Sequence, residues 1–246
     1  MAEMYALNLY CNRLAPGEQF KVAAAYNRVL YIAQGSADVE GSEQGLGTAW
    51  FGAGKLSCQA GPAGAELWHW ELSPTGGEAG RSALLSAPIT TLPRDAGWLM
   101  RCDSVALPPE GYAYRHVHQG PGIRCLLEGG IRVETGGQTH DYGRGQAWFE
   151  DGITPVFAQA AADAPMRFIR VMILPRALKG ERSIRYVDDA DRNKRRPHPT
   201  PHCRGRFCPG RGDADASREP TKERPLSVRL AQRTPPAPCA LLRMVA

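Results

Sequence analysis

The chain has 246 residues, 43% hydrophobic and 22% charged, which is the balance of a folded globular protein and excludes a wholly disordered one. Its formal charge of +5 comes from one end: residues 191–246 hold 13 Lys and Arg against 5 Asp and Glu, and the other 190 residues hold 17 against 20. A body of slightly negative charge gives no electrostatic footprint for specific nucleic-acid binding. No apolar run reaches bilayer length, and the seven cysteines (11, 58, 102, 125, 203, 208, 239) form no CxxC pair. The expectation is a reduced, cytoplasmic protein with no membrane partner.

In chain order, the first half, residues 1–85, breaks into short segments rich in Val, Ile, Tyr, Phe and Trp, bounded by Gly, Pro, Asn and Asp. This is strand-and-turn chemistry, with no amphipathic helix of three turns before residue 176. Val29-Leu30-Tyr31-Ile32-Ala33-Gln34-Gly35 precedes Ala49-Trp50-Phe51, and Glu66–Pro74 follows. Ser82–Trp98, with Pro88 and Pro93, reads as a connection that is in part an extended strand. The same three blocks then recur: Ile123–Gly129, Ala147-Trp148-Phe149 and Met166–Pro175. A repeat of about 95–100 residues is too long for a solenoid unit and suits a duplicated domain. The predicted organisation is all-β: two tandem small antiparallel barrels of jelly-roll type over 1–85 and 86–190, then a Pro/Arg-rich tail over 191–246. That tail holds nine of the 20 prolines and is expected to be disordered. Its His198, His202, Cys203 and Cys208 match no ordinary zinc spacing.

Chemistry concentrates in the second half. In His116-Val117-His118, strand alternation sends both imidazoles to one face, about 7 Å apart along the strand, where they could begin a transition-metal site. The stretch Leu107-Pro108-Pro109-Glu110-Gly111, then His116-Val117-His118, then Leu126-Leu127-Glu128-Gly129 resembles the first signature of the cupin superfamily. Gly145-Gln146-Ala147-Trp148-Phe149-Glu150-Asp151-Gly152-Ile153-Thr154-Pro155 resembles the second. Through the repeat, the likeness extends over residues 10–180 and implies a bicupin, a double-stranded β-helix in each half.

The departures bear on function. The carboxylate ligand that the resemblance implies falls on Gly122, and the final histidine falls on Pro155 or Val156. In the first half the paired histidines fall near Val22 and Ala24, so that barrel is expected to be structural. Two residues compete to complete a site with His116 and His118. His140 is placed by alternation on the face of Tyr142; Glu150 would give two imidazoles and one carboxylate. The metal implied is divalent: Fe, Mn, Ni, Zn or Cu.

Counting from position 122, Arg124 faces the barrel interior, where a guanidinium needs a partner: Glu150, Glu128 or an anionic ligand. Tyr112 and Tyr114 are placed on the face of His116, as aromatic walls or hydroxyl donors. Trp148 and Phe149 recur as Trp50 and Phe51 in the half without ligands and are assigned to the core. Two functions remain open. One is a metal-dependent cupin acting on a small, anionic organic molecule by oxygenase, isomerase or lyase chemistry. The other is a bicupin that binds a small ligand without turnover. The expected partners are that small molecule and a second copy of the chain in a homodimer.

Overall fold

The computed structural model describes residues 5–75, 82–90, 97–192 and 208–209, with the backbone alone for 23–25 and 208–209. It is an all-β jelly-roll fold of antiparallel sheets. In the first half, β1 (Tyr5–Leu14), β2 (Gln19–Val39), β3 (Ser42–Gly45), β4 (Ala49–Pro74) and β5 (Leu85–Ile89) form one sheet in the order β3-β2-β4-β1-β5. The long β4 curls around β2, so that Tyr31 pairs with Ala49 at one end of β4 and with Trp68 near the other. The connection read from Ser82 onward contains β5, which runs across the expected 85/86 boundary and pairs with β1.

The second half has two sheets. One joins β7 (Tyr112–His118), β9 (Ile131–Thr135), β10 (Gln138–Tyr142), β12 (Val156–Ala160) and β14 (Ile184–Tyr186) in the order β10-β9-β12-β7-β14. The other joins β6 (Trp98–Leu107), β8 (Gly122–Glu128), β11 (Ala147–Glu150), β13 (Met166–Pro175) and β15 (Cys208–Pro209) in the order β11-β8-β13-β6-β15. Of the expected disordered tail, Asp191 and Arg192 close a short helix, α1 (Asp189–Arg192), and Cys208–Pro209 pairs with Met100 and Leu99. Its other residues, with His198, His202 and Cys203, lie outside the described residues. No helix is long and apolar enough to cross a membrane among the described residues, and Cys11, Cys58 and Cys125 are free thiols.

The sequence repeat is a repeat of register. Ala49-Trp50-Phe51 pairs with Tyr31, Leu30 and Val29, and Ala147-Trp148-Phe149 pairs with Cys125, Arg124 and Ile123. The turn glycines that anchor the match, Gly35 and Gly129, both have φ +71, and a Cβ on either would collide with backbone oxygen, of Gly64 and Pro165 respectively. Only glycine tolerates both demands.

Alternation then gives each central strand two buried faces. Ile123, Cys125 and Leu127 of β8 join Ile169, Val171 and Ile173 of β13 and Trp98, Met100 and Cys102 of β6 in a core cluster shared with Leu7, Leu9, Val29, Tyr31, Trp68 and Trp70 of the first half. The opposite faces line separate interiors. Leu30, Ile32, Leu56 and Leu67 fill the first half, and Leu126, Val133, Trp148, Val156 and Phe168 fill the second. Near-continuous apolar strands are what burial on both faces requires.

Candidate metal centre

Within the second interior, one level holds charge instead of hydrocarbon. His116 and His118 come from β7, Arg124 from β8, Glu150 from the end of β11, Arg170 from β13, and Arg101 and Asp103 from β6. One donor atom from each of His116, His118 and Glu150 lies within 4.8 Å of the others. Both histidines are buried, and the Glu150 side chain is 8% exposed. Glu150 sits directly across the strand pair from Gly122.

Hydrogen bonds orient each donor. His116 Nδ1 lies 2.6 Å from the carbonyl oxygen of Tyr114. A carbonyl only accepts, so Nδ1 carries the hydrogen and the Nε2 lone pair is left for a cation. His118 Nδ1 is 3.5 Å from Ser183 Oγ, and its Nε2 is 3.5 Å from Glu150 Oε2. Trp148 Nε1 donates to Glu150 Oε1 at 2.9 Å. The other oxygen, Oε2, is 2.6 Å from Arg124 Nη2, but no N–H is aimed along that contact, so the pairing is ionic without a directed hydrogen bond. Arg124 also donates to the carbonyl of Gly122 at 2.6 Å.

Behind this triad lies a second charge group. Asp103 Oδ2 accepts from Arg101 Nε at 3.1 Å and from Arg170 Nε at 3.0 Å, and Arg101 Nη2 donates to Ser183 Oγ at 2.8 Å. Arg101, Arg124 and Arg170 thus meet Asp103 and Glu150, one more guanidinium than carboxylate. Burial holds the His116 imidazole below its ordinary pKa, against the pull of Glu150. His118 is held well below, by burial first and then by Arg124, Arg170, His116 and Arg101. Burial lowers even Arg124, to about 10, with Glu150 opposing the shift. Both imidazoles are therefore neutral near pH 7, the form that ligates metal.

These residues fit a divalent transition metal: two neutral imidazoles, one carboxylate, and a buried carboxylate oxygen at which no hydrogen-bond donor is aimed. His140, the other candidate for the third position, is exposed on β10 at the edge of its sheet, its ring against Tyr142. An edge hairpin carries it away from the interior, and it does not join the cluster. Tyr112 and Tyr114 also depart from expectation. The pairing of β7 with β12 shifts register between His116 and Ala113, and the bulge breaks the alternation. Ala113 packs against the interior in their stead, while Tyr112 is 41% exposed and stacks on Phe157. Tyr114 contributes its carbonyl to His116, and its ring meets Tyr112 and Tyr186. Of the two carboxylates considered for Arg124, Glu150 takes it; Glu128 is exposed and lies 3.7 Å from Arg167. Asp103, Arg101, Arg170 and Ser183 did not emerge from the sequence. The cue was present in β6 and β13, where Arg101, Asp103 and Arg170 interrupt otherwise apolar strands.

The first half has no such triad among the described residues. Val22 is buried in apolar surroundings, and the side chain of Ala24 lies outside the described residues. Its interior instead holds Arg28, whose Nε donates to Glu71 Oε2 at 2.8 Å, with His69 Nε2 3.6 Å from the same oxygen.

No protein-family model matches the chain, and no curated protein does. Solved structures do. A point variant of oxalate decarboxylase from Bacillus subtilis superposes with a TM-score of 0.56 at 13% identity, covering 79% of this chain and 78% of that one. A deletion mutant of the same Bacillus subtilis enzyme gives 0.55 at 13% identity, with the same coverage. Salicylate 1,2-dioxygenase from Pseudoaminobacter salicylatoxidans gives 0.49 at 13% identity, covering 68% of each chain. At such identities the likeness concerns fold alone, and the fold of this chain is similar to that of oxalate decarboxylase.

Proposed function

We propose that the chain is a bicupin whose second half is a metal centre acting on a small organic anion, with His116, His118 and Glu150 as the protein ligands. The observation that carries this is the convergence of three donor atoms within 4.8 Å beside a buried guanidinium. A divalent transition metal held there would supply Lewis acidity toward a carboxylate or carbonyl oxygen, with coordination positions left open. Every other role falls to the chain itself. Tyr114 and Trp148 orient the donors, Arg124 offers its planar fork to a carboxylate, and the apolar interior excludes water. Support for an anionic substrate comes from the surplus guanidinium of the cluster and from the fold of oxalate decarboxylase, whose name states a small dicarboxylate as its substrate. Oxygenase, isomerase and lyase chemistry all suit such a site.

Val156 favours a second reading, a module that binds a ligand without turnover. It pairs across the strands with His116 and is buried, so one of the two positions where the resemblance puts a further histidine is filled by hydrocarbon. Elemental analysis of the purified protein beside the His116→Ala/His118→Ala and Glu150→Gln variants separates the two. One metal per chain, lost in both variants, supports the metal centre; no metal in any sample supports the binding module.

A further inference from the structure

Glu150 Oε2 is claimed twice. It is the carboxylate oxygen nearest the His118 ring nitrogen, at 3.5 Å, and it is also the atom 2.6 Å from Arg124 Nη2. The other oxygen, Oε1, accepts from Trp148. A cation at the triad and the Arg124 guanidinium therefore compete for one oxygen. Arg124 has little else to turn to. Its residue is 1% exposed, so water cannot take over the charge, and its other contacts are the Gly122 carbonyl and, at 3.9 Å, Met172 Sδ. The next carboxylate, Asp103, is already shared by Arg101 and Arg170. A buried guanidinium stripped of its counter-charge is strongly unfavourable.

Resting on the metal-centre reading above, we propose that Arg124 is a latch on Glu150, released when a small carboxylate replaces Glu150 as its partner, so that divalent cation and carboxylate load as a coupled pair. Without the carboxylate, Arg124 neutralises Glu150 and repels an entering cation. With it, the guanidinium fork is satisfied by two parallel N–H···O contacts and Oε2 turns to the cation. Coupling of this kind is reciprocal: the cation must tighten the carboxylate by the factor by which the carboxylate tightens the cation.

The test uses the full chain, stripped by chelator, with Co(II) as the spectroscopic probe and formate as the smallest carboxylate. Titrations are run in sodium formate and in sodium perchlorate at equal ionic strength, followed by visible absorption and by calorimetry. Formate is expected to tighten Co(II) in the wild type by a factor within about 5–150, the usual span of coupling between sites. In Arg124→Met, Co(II) should bind tightly in perchlorate, and most of the formate effect should vanish. Glu150→Gln supplies an independent arm: it should lose Co(II) yet bind formate without metal, because Arg124 is then free to accept it. Equal Co(II) affinity with and without formate in the wild type overturns the latch, as does an undiminished formate effect in Arg124→Met or a Glu150→Gln protein that ignores formate. Absence of Co(II) binding in every protein and buffer defeats the metal centre itself, a distinguishable failure.

Discussion

Glu150 pairs across β11 and β8 with Gly122, so the carboxylate stands opposite a residue without a side chain. A side chain at position 122 is excluded sterically. A Cβ on residue 122 would lie 2.4 Å from the Val171 oxygen and 2.8 Å from Met172 Cγ. Gly122→Ala should therefore destabilise by about 1–3 kcal/mol, as overpacked cores do. Restoring a carboxylate there, as Gly122→Glu with Glu150→Gln, should not restore metal content. Thermal melting and elemental analysis check both outcomes, and a stable, metal-loaded double variant would contradict them.

Asp103 is the hinge of the rear charge group, fully buried and shared by Arg101 and Arg170. Asp103→Asn leaves two guanidiniums without their common counter-charge and should cost about 3–5 kcal/mol in urea denaturation. Arg170→Gln in the same background should recover part of that loss.

Trp148 has two tasks that substitution can separate. Its ring packs against Phe168 and Tyr142, while its N–H holds Glu150 Oε1. Trp148→Ala should cost roughly 3–5 kcal/mol of stability. Trp148→Phe keeps an aromatic in the core and should cost less, yet weaken Co(II) binding by about tenfold or more, as lost supporting hydrogen bonds do at metal sites. Trp50→Phe, in the first half, should leave Co(II) binding as it is.

Val156→His would place a third imidazole across the strands from His116. Co(II) affinity should rise by about tenfold or more, while stability falls by about 1–3 kcal/mol from the larger side chain in a filled interior. Unchanged affinity would mean that position 156 does not face the triad.

The metal-free protein should also be sensitive to acid. Both imidazoles lie below their ordinary value of 6.5 when folded, so the unfolded chain takes up protons first as the pH drops. Stability from the two neutral rings is complete above about pH 6.5 and declines as the pH falls from there toward the lowered folded values. Melting temperatures of chelated protein between about pH 8 and 5 should show the decline, and His118→Gln should flatten it. A curve that stays level through that range in the wild type would count against neutral buried imidazoles.

The sequence made the architecture readable because the Ala-Trp-Phe blocks carry register as well as composition. Tyr31 opposite Ala49 and Cys125 opposite Ala147 are the same pairing made twice. Period-two alternation also placed Arg124 inward: Ile123, Cys125 and Leu127 share one face of β8 and Leu126 takes the other, even though the register against β13 shifts between Leu126 and Glu128. The same rule failed for Tyr112 and Tyr114 because a bulge is an extra residue, and neither tyrosine announces one. The sequence offered both His140 and Glu150 as the third ligand, with His140 the first choice. What decided between them is which strand lies beside β8, a pairing between residues more than twenty positions apart. Asp103 stayed hidden for a related reason: its two arginine partners sit on the same strand and on a neighbour 67 residues away.

The core shared by the two halves has a consequence for how this chain can change over generations. Val29, Tyr31, Trp68 and Trp70 hold no ligand, yet they pack against Ile123, Cys125, Ile169 and Val171, the reverse faces of the strands that carry Arg124 and Arg170. A substitution in the silent half can therefore tilt those strands and alter chemistry on their far side. Conversely, that half cannot be removed alone, because its departure would leave an apolar face of the second half open to water. Packing from one half thus supports the strands that carry the buried charges of the other.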